Sequence, residues 1–364
     1  MLKNKVKVSV ILPVRDEEQA IQSCVEQIKQ VFKESKISGE IIVSDSSRDR
    51  SHEIAEKLGV KIVKHNKEGY GAAYQEGFKS ADGKYIFMAD ADGSYDFRNI
   101  PKFLSCLDEG YDLVIGNRFR GHIHKGAMPF FRRYIGNPVL SSMFRLFFSS
   151  NIGDVHCGMR AMTREALEKL NLRTIGMEYA SEMIIRSVNM KLKIWEVPIN
   201  YYKRKGKSKL RIFSDGWRHL RFMLMFAPAY LFLVPGLMFF LLGLLFFEFL
   251  FFEYGRLVIL GSFFVILGYQ IISLGLYAKA YMKSTGFIES DRLLDFIART
   301  ISFEIGIYLG LVFLGASFIL ALGFVVFSGN LDNNTILIVL TLAVLGVQTI
   351  FSAFLLSIML VEKK

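Results

Sequence analysis

Two aspartates, Asp90 and Asp92, stand one residue apart directly after the apolar run at residues 85–89. The small polar residues that follow them are typical of a turn at the end of a strand. Carboxylate oxygens are the ligands that hard divalent cations prefer, and a cation held there can also contact a diphosphate. Because an Asp-x-Asp pair is common in ordinary turns, it is its place at a strand end that favours a metal site.

A second group of polar side chains consists of Arg118, Arg132, Arg133 and Asn137. Guanidinium groups bind phosphate bidentately, so this group is a candidate phosphate site. A phosphate monoester is largely a dianion at neutral pH and is therefore a nucleophile that needs no general base. It does need cations that hold it in line with the reacting carbon. For at least one of the adjacent arginines, a solvated basic face is the alternative.

Three further carboxylates have two interpretations each. Asp154 could align an acceptor, or it could form a structural ion pair with Arg160. Glu178 and Glu182 are spaced to lie on one helical face. An active-site contact from Glu178 and plain capping or ion pairing both remain open.

These residues must be positioned by the elements before them. Apolar runs at residues 6–13, 40–43, 60–64 and 85–88 are typical of strands, and apolar residues at helical spacing follow the first of them over residues 20–31. Strands that alternate with helices predict a doubly wound, mostly parallel α/β sheet. In such folds ligands bind beyond the carboxyl ends of the strands, where the polar loops lie.

The second half of the chain has another composition. The mean hydropathy of +0.32 coexists with 22% charged residues, so one solvent environment cannot suit the whole chain. Charged and apolar residues are interleaved up to about residue 221, and long apolar runs dominate from residue 223. A membrane crossing needs about 20 apolar residues. Four helices are predicted to span a bilayer, at residues 223–252, 257–282, 303–327 and 336–361.

The net charge of +11 points to a membrane surface rather than to nucleic acid, because the densest basic run, residues 203–221, directly precedes the first span. Apolar side chains near one helical face predict an amphipathic interfacial helix at 207–222. It would join a cytosolic domain, 1–206, to a membrane domain, 223–364. Basic residues concentrate on one set of joints, and no export leader precedes the first strand, which predicts a multi-pass protein with the catalytic domain and both termini cytoplasmic.

Seven motifs in this order resemble the inverting family-two glycosyltransferases of the GT-A fold, in particular dolichyl-phosphate mannose synthases and polyprenyl-phosphate glucosyltransferases. The resemblance covers about residues 6–221. It lies in the segments 13–17 (PVRDE), the acidic loop at Asp45, 69–73 (GYGAA), 90–93 (DADG), 116–118 (GNR), 154–160 (DVHCGMR) and 206–209 (GKSK).

The resemblance implies a nucleotide-sugar donor, GDP-mannose or UDP-glucose, and a polyprenyl (dolichyl) phosphate acceptor in the bilayer. Asp90, Asp92 and Ser94 would hold Mg²⁺ or Mn²⁺. Asp92, Arg118 and Asp154 would be the catalytic group, and Arg118, Arg132, Arg133 and Asn137 would hold the acceptor phosphate. The implied donor-binding residues are Pro13, Val14, Arg15, Glu17, Asp45, Lys67, Gly69, Asp90, Ala91, Asp92, Arg204 and Lys209.

Two departures from the family pattern leave the base and the sugar open. The loop after residue 43 reads SDSSRD, where family members often have paired acids and one more residue. Ser94 stands where mannose synthases often have Gln. The choice between GDP-mannose and UDP-glucose therefore stays open, as does a homo-oligomeric state.

Two other functions are compatible with a soluble domain followed by apolar helices. A processive polysaccharide synthase would share the fold, but its Gln-x-x-Arg-Trp motif is absent before the first span, where residues 215–219 read DGWRH. The second of these functions is that of a lipid translocator with a regulatory nucleotide-sugar-binding module. The scarcity of ionisable residues near the centres of the predicted spans argues against it.

Overall fold

The computed structural model describes residues 6–206, 212–248, 255–286, 288, 293–296, 303–328 and 332–360. The chain divides into two compact units, Met1–Met223 and Leu224–Lys364. Among its described residues, the first unit contains a seven-stranded sheet and eight α-helices, the last of which continues to Met225. It also contains a 3₁₀ helix at Phe97–Asn99 and a π-helical turn at Arg132–Gly136.

The sheet is mostly parallel, as predicted. Its strands lie in the order β3-β2-β1-β4-β6-β5-β7, and only β6 runs antiparallel to its neighbours β4 and β5. This arrangement confirms the GT-A-like α/β class. The strands are β1 Val8–Val14, β2 Gly39–Asp45, β3 Lys61–Lys64, β4 Tyr85–Met88, β5 Leu113–Asn117, β6 Arg160–Thr163 and β7 Ile194–Pro198.

Helices connect these strands and cover the sheet. They are α1 Ile21–Glu34, α2 Ser51–Lys57, α3 Tyr70–Phe78, α4 Ile100–Asp108, α5 Asn137–Phe148, α6 Arg164–Leu170, α7 Tyr179–Asn189 and α8 Ile212–Met225. In α1 the buried residues recur at helical spacing, Ile21, Cys24, Val25, Ile28 and Val31. This is the stripe predicted from the sequence, and it packs the helix onto the core.

Parallel pairing brings the candidate site residues to one edge. Val14 at the end of β1 is in register with Asp45 at the end of β2, and Ile11 is in register with Met88 of β4. The loops that leave these strands therefore start side by side. Asp45 and the Asp90–Asp92 turn share the carboxyl edge of the sheet, as the doubly wound pattern predicts.

The glycine-rich segment at residues 69–73 begins α3 by approaching another loop closely. Gly69 has φ of +120°, and a side chain there would collide with the carbonyl oxygen of Ile175. The amides of Gly71 and Ala72 donate hydrogen bonds to the carbonyls of Gly176 and Ile175 at 3.3 and 3.0 Å. The glycines of this segment thus allow a close backbone approach to the protein's own loop.

The second unit consists of α9 Val234–Glu248, α10 Gly255–Ser284, α11 Phe303–Ser328 and α12 Asn333–Leu360. Four helical segments are long and apolar enough to cross a membrane, at Ala229–Phe247, Leu257–Ser284, Phe303–Val326 and Asn333–Leu360. The first begins later than predicted. α8 ends at Met225, and a short π-helical turn at Ala229–Leu233 follows Pro228, as expected for a residue that interrupts helical hydrogen bonding.

Small residues and hydroxyls hold this unit together. A Cβ at Gly243 of α9 would lie 2.6 Å from the backbone nitrogen of Val265 in α10, so the two helices approach closely there. Tyr269 and Thr349 share a hydrogen bond at 2.7 Å between α10 and α12. Close approach at glycines and interhelical hydrogen bonds are typical of helix packing in lipid.

Candidate active site

The turn after β4 places two carboxylates at the centre of the first unit's polar edge. Asp92 is nearly buried, and its Oδ1 accepts hydrogen bonds from Ser94 N at 2.9 Å and Ser94 Oγ at 2.5 Å. Among the described residues, none donates a hydrogen bond to the Asp90 carboxylate. Burial raises the pKa of Asp90 to about 7, and the neighbouring Asp92 carboxylate adds to that rise.

The donor set of this turn suits a hard divalent cation. A carboxylate that receives no hydrogen bond and lies beside another carboxylate is stabilised by a positive charge. In the described part of the chain, no cluster of three or more His, Cys, Asp or Glu side chains could hold a metal by itself. A cation at Asp90 and Asp92 would therefore take its other ligands from a diphosphate or water. The predicted third ligand, Ser94, uses its hydroxyl to orient Asp92.

Arg204 links this turn to the loop after β1. Its Nη2 donates to Glu17 Oε1 at 3.0 Å, and its Nη1 lies 3.6 Å from Asp92 Oδ2. The structure thus brings three predicted donor-binding residues together around one guanidinium. Lys209, the other predicted diphosphate contact, lies outside the described residues.

A cavity of about 210 Å³, which we call the donor cavity, opens between the ends of β1, β2 and β3. Arg15 and Lys67 line it, and both side chains are largely exposed and paired with nearby glutamates, Glu68 at 3.0 Å and Glu76 at 2.5 Å. Its lining is Arg15, Asp45, Ser46, Ser47, Arg48, Lys64, His65, Asn66, Lys67 and Glu68.

Asp45 is the buried member of the donor cavity. Its Oδ1 accepts a hydrogen bond from Ser47 N at 2.9 Å, and its Oδ2 lies 2.9 Å from His52 Nδ1. Both carboxylate oxygens are thus already engaged by the loop. His65 was not singled out from the sequence, although its Nε2 lies 3.1 Å from Ser44 Oγ and its ring lines the cavity.

A second cavity, of about 180 Å³, which we call the acceptor cavity, is lined in part by Asp90. It gathers three of the predicted phosphate-binding residues, Arg118, Arg132 and Asn137, around that carboxylate. Apolar side chains complete it, among them Met128, Pro129, Phe131 and Leu140. The arginines of this cavity could bind an anion, and its apolar side chains could contact an apolar group attached to that anion.

Arg118, which lines this cavity, forms a buried ion pair with Asp154 behind it. Arg118 Nε donates to Asp154 Oδ2 at 2.7 Å and Nη2 donates to Oδ1 at 2.8 Å, with both side chains almost fully buried. Burial opposes the charged form of Arg118, but the Asp154 carboxylate outweighs it and raises the pKa of Arg118 well above its ordinary value. The guanidinium is therefore charged, and its orientation is fixed by a bidentate partner.

The alternative pairing of Asp154 with Arg160 is wrong. Arg160 is buried under the loop and donates to the carbonyl oxygens of Val155, Cys157 and Ala180 at 2.8 to 2.9 Å. It organises the loop that carries Asp154 and leaves that carboxylate to Arg118.

Arg133 does not line the acceptor cavity. Its Nη1 donates to the carbonyl oxygen of Ile123 at 3.4 Å, and its guanidinium lies 5.3 Å from the ring centroid of Tyr134. Of the two adjacent arginines, Arg132 is the one that faces the cavity.

Glu182 is a structural residue. It pairs with Arg186 at 3.0 Å and accepts hydrogen bonds from the backbone of Arg173 and Thr174. Both Glu182 and Arg186 are buried, and neither lines either cavity. Of the two interpretations of this helical pair, ion pairing therefore applies to Glu182.

Several functional residues were not found from the sequence. Glu196 of β7 accepts hydrogen bonds from Asn117 Nδ2 and from the amides of Gly153 and Asp154 at 2.9 to 3.1 Å, so it ties the two loops of the ion pair together. His156 and His219 also line the acceptor cavity. The positions of these three residues depend on contacts between segments that are distant in sequence. For His156 alone the sequence offered a signal, its place in the DVHCGMR motif.

The exterior of the acceptor cavity is apolar. Residues 130–146 leave large hydrophobic side chains exposed next to the lining residues, including Phe130, Tyr134, Ile135, Val139 and Leu146. The basic residue Arg145 of α5 belongs to the same stretch of the chain. An exposed apolar patch of this kind marks a surface that contacts another molecule or a membrane.

Comparison with known families assigns both units. The model of "Glycosyl transferase family 2" matches residues 9–171, which contain both cavities' carboxylates and Arg118. The model of "Glycosyltransferase family 2 C-terminal transmembrane region" matches residues 276–360. Together with the four apolar helices, the second match identifies a membrane protein.

Two relatives from Haloferax volcanii align with the first unit. The low-salt glycan biosynthesis hexosyltransferase Agl6 is 42% identical over 225 residues, which are 62% of this chain and 54% of that relative. The chain thus matches about half the length of that protein. A dolichyl-phosphate hexose transferase is 33% identical over 210 residues, which are 57% of this chain and 88% of the relative.

A solved structure shares the fold. Glucosyl-3-phosphoglycerate synthase from Mycobacterium tuberculosis, crystallised with Mn²⁺, uridine diphosphate and phosphoglyceric acid, aligns with a TM-score of 0.50 at 19% identity. The alignment covers 61% of this chain and 78% of that chain. At this identity the likeness establishes a common fold.

Proposed function

Because the chain belongs to glycosyltransferase family 2, we propose that it transfers a hexose from a nucleotide sugar to a polyprenyl phosphate such as dolichyl phosphate. The observation that carries this proposal is the acceptor cavity of about 180 Å³, which is lined by the two cations Arg118 and Arg132 and by apolar side chains. The 33% identical dolichyl-phosphate hexose transferase supports the same acceptor class.

The donor is a nucleoside diphosphate hexose, GDP-mannose or UDP-glucose. Its nucleoside would lie in the donor cavity against Arg15, Asp45 and Lys67, and its diphosphate would meet Arg204. Lys209 is a further proposed diphosphate contact. Asp90 and Asp92 would hold Mg²⁺ or Mn²⁺, which when bound neutralises charge on the leaving diphosphate.

The reaction proposed is an inverting displacement. An oxygen of the acceptor phosphate forms a bond to the anomeric carbon while the bond from that carbon to the donor diphosphate breaks, and a nucleoside diphosphate leaves. The phosphate dianion attacks without a general base. Arg118 and Arg132 hold two anions close enough to react, and Asp154 keeps Arg118 in the required orientation.

The apolar patch at residues 130–146 fits the rest of this acceptor. A polyprenyl chain attached to a phosphate in the cavity would leave past Pro129, Phe131 and Leu140 toward that patch. We therefore propose that the patch contacts the bilayer, on the cytoplasmic side where basic residues of the joints are expected to lie. The amphipathic α8 would be a second contact, with its exposed Trp217.

The test is transfer of label from a panel of radiolabelled UDP- and GDP-sugars to a short polyprenyl phosphate in detergent, with Mg²⁺, Mn²⁺ or EDTA. Metal-dependent label in the lipid phase is expected from one donor, and none with the matching polyprenol. Label in a polymer instead of the lipid would overturn the proposal in favour of a polysaccharide synthase.

A further inference from the structure

His156 is a side chain of the acceptor cavity that the proposed reaction does not yet use. It lies in the loop between α5 and β6, two residues after Asp154, and its ring lines the cavity together with Arg118 and Arg132. Both ring nitrogens are inaccessible to solvent, and neither has a hydrogen-bond partner among the described residues.

The surroundings of the ring hold it in place. The ring of His219 from α8 packs edge-on against it, with 4.6 Å between ring centroids and 78° between planes. His219 is itself fixed, because its Nδ1 lies 2.8 Å from Ser181 Oγ. The orientation of His156 is thus set by packing, while its own polar atoms remain unused.

The ring is neutral in the absence of ligand. Burial lowers the pKa of His156 well below its usual value, and His219, Arg118 and Arg160 act in the same direction. A neutral imidazole carries an N–H in either tautomer. A buried N–H without an acceptor is unfavourable, and buried polar groups in native proteins are nearly always paired. The ring N–H of His156 is therefore a hydrogen-bond donor without an acceptor among the described residues.

The Asp90 carboxylate also lines the cavity, but it is not paired with His156, whose ring nitrogens have no partner among the described residues. Arg118 and Arg132 are cationic donors, and both carboxylate oxygens of Asp154 already accept hydrogen bonds from Arg118. A phosphate oxygen held by these arginines would be an acceptor within the same cavity.

We infer, on the basis of the proposed function, that His156 binds the acceptor phosphate by donating a hydrogen bond from its ring N–H. It is the uncharged phosphate ligand beside two guanidiniums. Because Asp154 already balances the charge of Arg118, a neutral donor adds affinity and direction without adding a further cation to the nucleophile.

The test measures equilibrium binding of radiolabelled farnesyl phosphate to the purified full chain in detergent, without donor. His156→Phe keeps a ring against His219 and removes both nitrogens. We expect its dissociation constant to rise about tenfold to a hundredfold, as for one lost hydrogen bond to a charged group. His156→Asn and His156→Gln place an amide N–H near the two ring nitrogens, and at least one of them should recover part of the affinity.

Ser141→Ala is the matched control. Ser141 in α5 also has a buried side-chain oxygen without a partner, but it does not line the cavity, so its loss should leave farnesyl phosphate binding unchanged. Farnesol, which has the same tail and no phosphate, should bind His156→Phe and the wild type alike. Thermal unfolding of His156→Phe should occur no lower than in the wild type, because an unpaired buried donor has been removed.

Wild-type affinity for farnesyl phosphate in His156→Phe would overturn the inference. So would an equal loss in the phenylalanine and both amide variants, or a parallel loss of farnesol, since these indicate a defect of shape. Absence of sugar transfer by the wild type to any prenyl phosphate would overturn the proposed function instead. The binding comparison decides the role of His156 separately, because it needs neither donor nor turnover.

Discussion

The two cavities of the first unit present their charges in different ways. In the acceptor cavity the side chains of Arg118 and Asp154 are 7% and 0% exposed and are joined by two short hydrogen bonds. In the donor cavity the side chains of Arg15 and Lys67 are 44% and 61% exposed, and they pair with the exposed Glu68 and the partly buried Glu76.

This difference indicates how each ligand is recognised. Exposed ion pairs are worth between nothing and about 1 kcal/mol, so the donor-side cations can exchange their glutamates for a nucleotide at little cost. Breaking a buried pair by removing one partner costs about 3–5 kcal/mol. The acceptor side is thus organised before its ligand arrives, and the donor side is completed by its ligand.

The largest effect should come from the turn that carries Asp90 and Asp92. Asp92→Asn removes a charge from the proposed cation site, whose ion contributes several kcal/mol to stabilising the leaving diphosphate. Turnover measured with saturating Mn²⁺ should fall by about a thousandfold or more. Ser94→Ala keeps both carboxylates and the backbone hydrogen bond to Asp92, and it loses only the hydrogen bond from the hydroxyl, so its turnover should fall much less. If Asp92→Asn were as active as the wild type, the proposal that Asp92 binds the metal ion would be wrong.

The buried ion pair should give the next largest effect. Asp154→Ala leaves the Arg118 guanidinium buried without its partner, so the free energy of unfolding should fall by about 3–5 kcal/mol and affinity for the prenyl phosphate should fall with it. Thermal unfolding and acceptor binding of the purified chain measure the two quantities.

The matched control for that variant is Glu182→Ala. The pair of Glu182 with Arg186 is as deeply buried, with side chains 1% and 4% exposed, but lies outside both cavities. It should lose similar stability while acceptor binding by the folded fraction is retained. If both variants lose acceptor affinity alike, the ion pair of Asp154 serves only folding and the contrast between the cavities is lost.

The same turn should also make Mn²⁺ affinity depend on pH, by about tenfold. The pKa of Asp90, raised to about 7 by burial and by Asp92, means that the metal-free protein carries a mostly protonated Asp90 at pH 6 and a mostly ionised one at pH 8. Since a cation binds the ionised form, Mn²⁺ affinity should rise about tenfold over this interval and level off above it. Titration calorimetry at both pH values measures this. In Asp90→Asn the rise should vanish, and a rise that persists would assign the titration to another group.

Much of this organisation could be predicted from the sequence. The positions of the first four strands, the mostly parallel sheet and the four apolar helices follow from local periodicity and apolar length, which tertiary contacts rarely override in long, strongly patterned segments. The strands β5, β6 and β7 were not predicted. The carboxylate turn was found because Asp90 and Asp92 directly follow a fully buried strand. Arg118, Arg132 and Asn137 were found by their chemistry and by family resemblance.

The choice of partners could not be predicted in this way. Asp154 lies close to Arg160 in sequence, yet it pairs with Arg118, which is 36 residues away, because Arg160 is used by backbone carbonyls beneath the loop. Arg132 and Arg133 are adjacent and chemically identical, so only the turn of the helix decides which one enters the cavity. His156 meets His219 across 63 residues of chain, a contact with no local signal.

The smallest effect on activity is expected from a substitution in the donor cavity. It is the most direct test of the difference between the two cavities. Lys67→Ala removes an exposed cation that pairs with Glu76, so the Michaelis constant for the nucleotide sugar should rise by less than about fivefold, and the rise should shrink at high salt. Lys79→Ala is the control, because Lys79 pairs with the same Glu76 at 2.8 Å but does not line the cavity. It should leave that constant unchanged. A salt-independent loss of a hundredfold in Lys67→Ala alone would mean that the donor cavity is organised as firmly as the acceptor cavity, with exposure a poor guide to either.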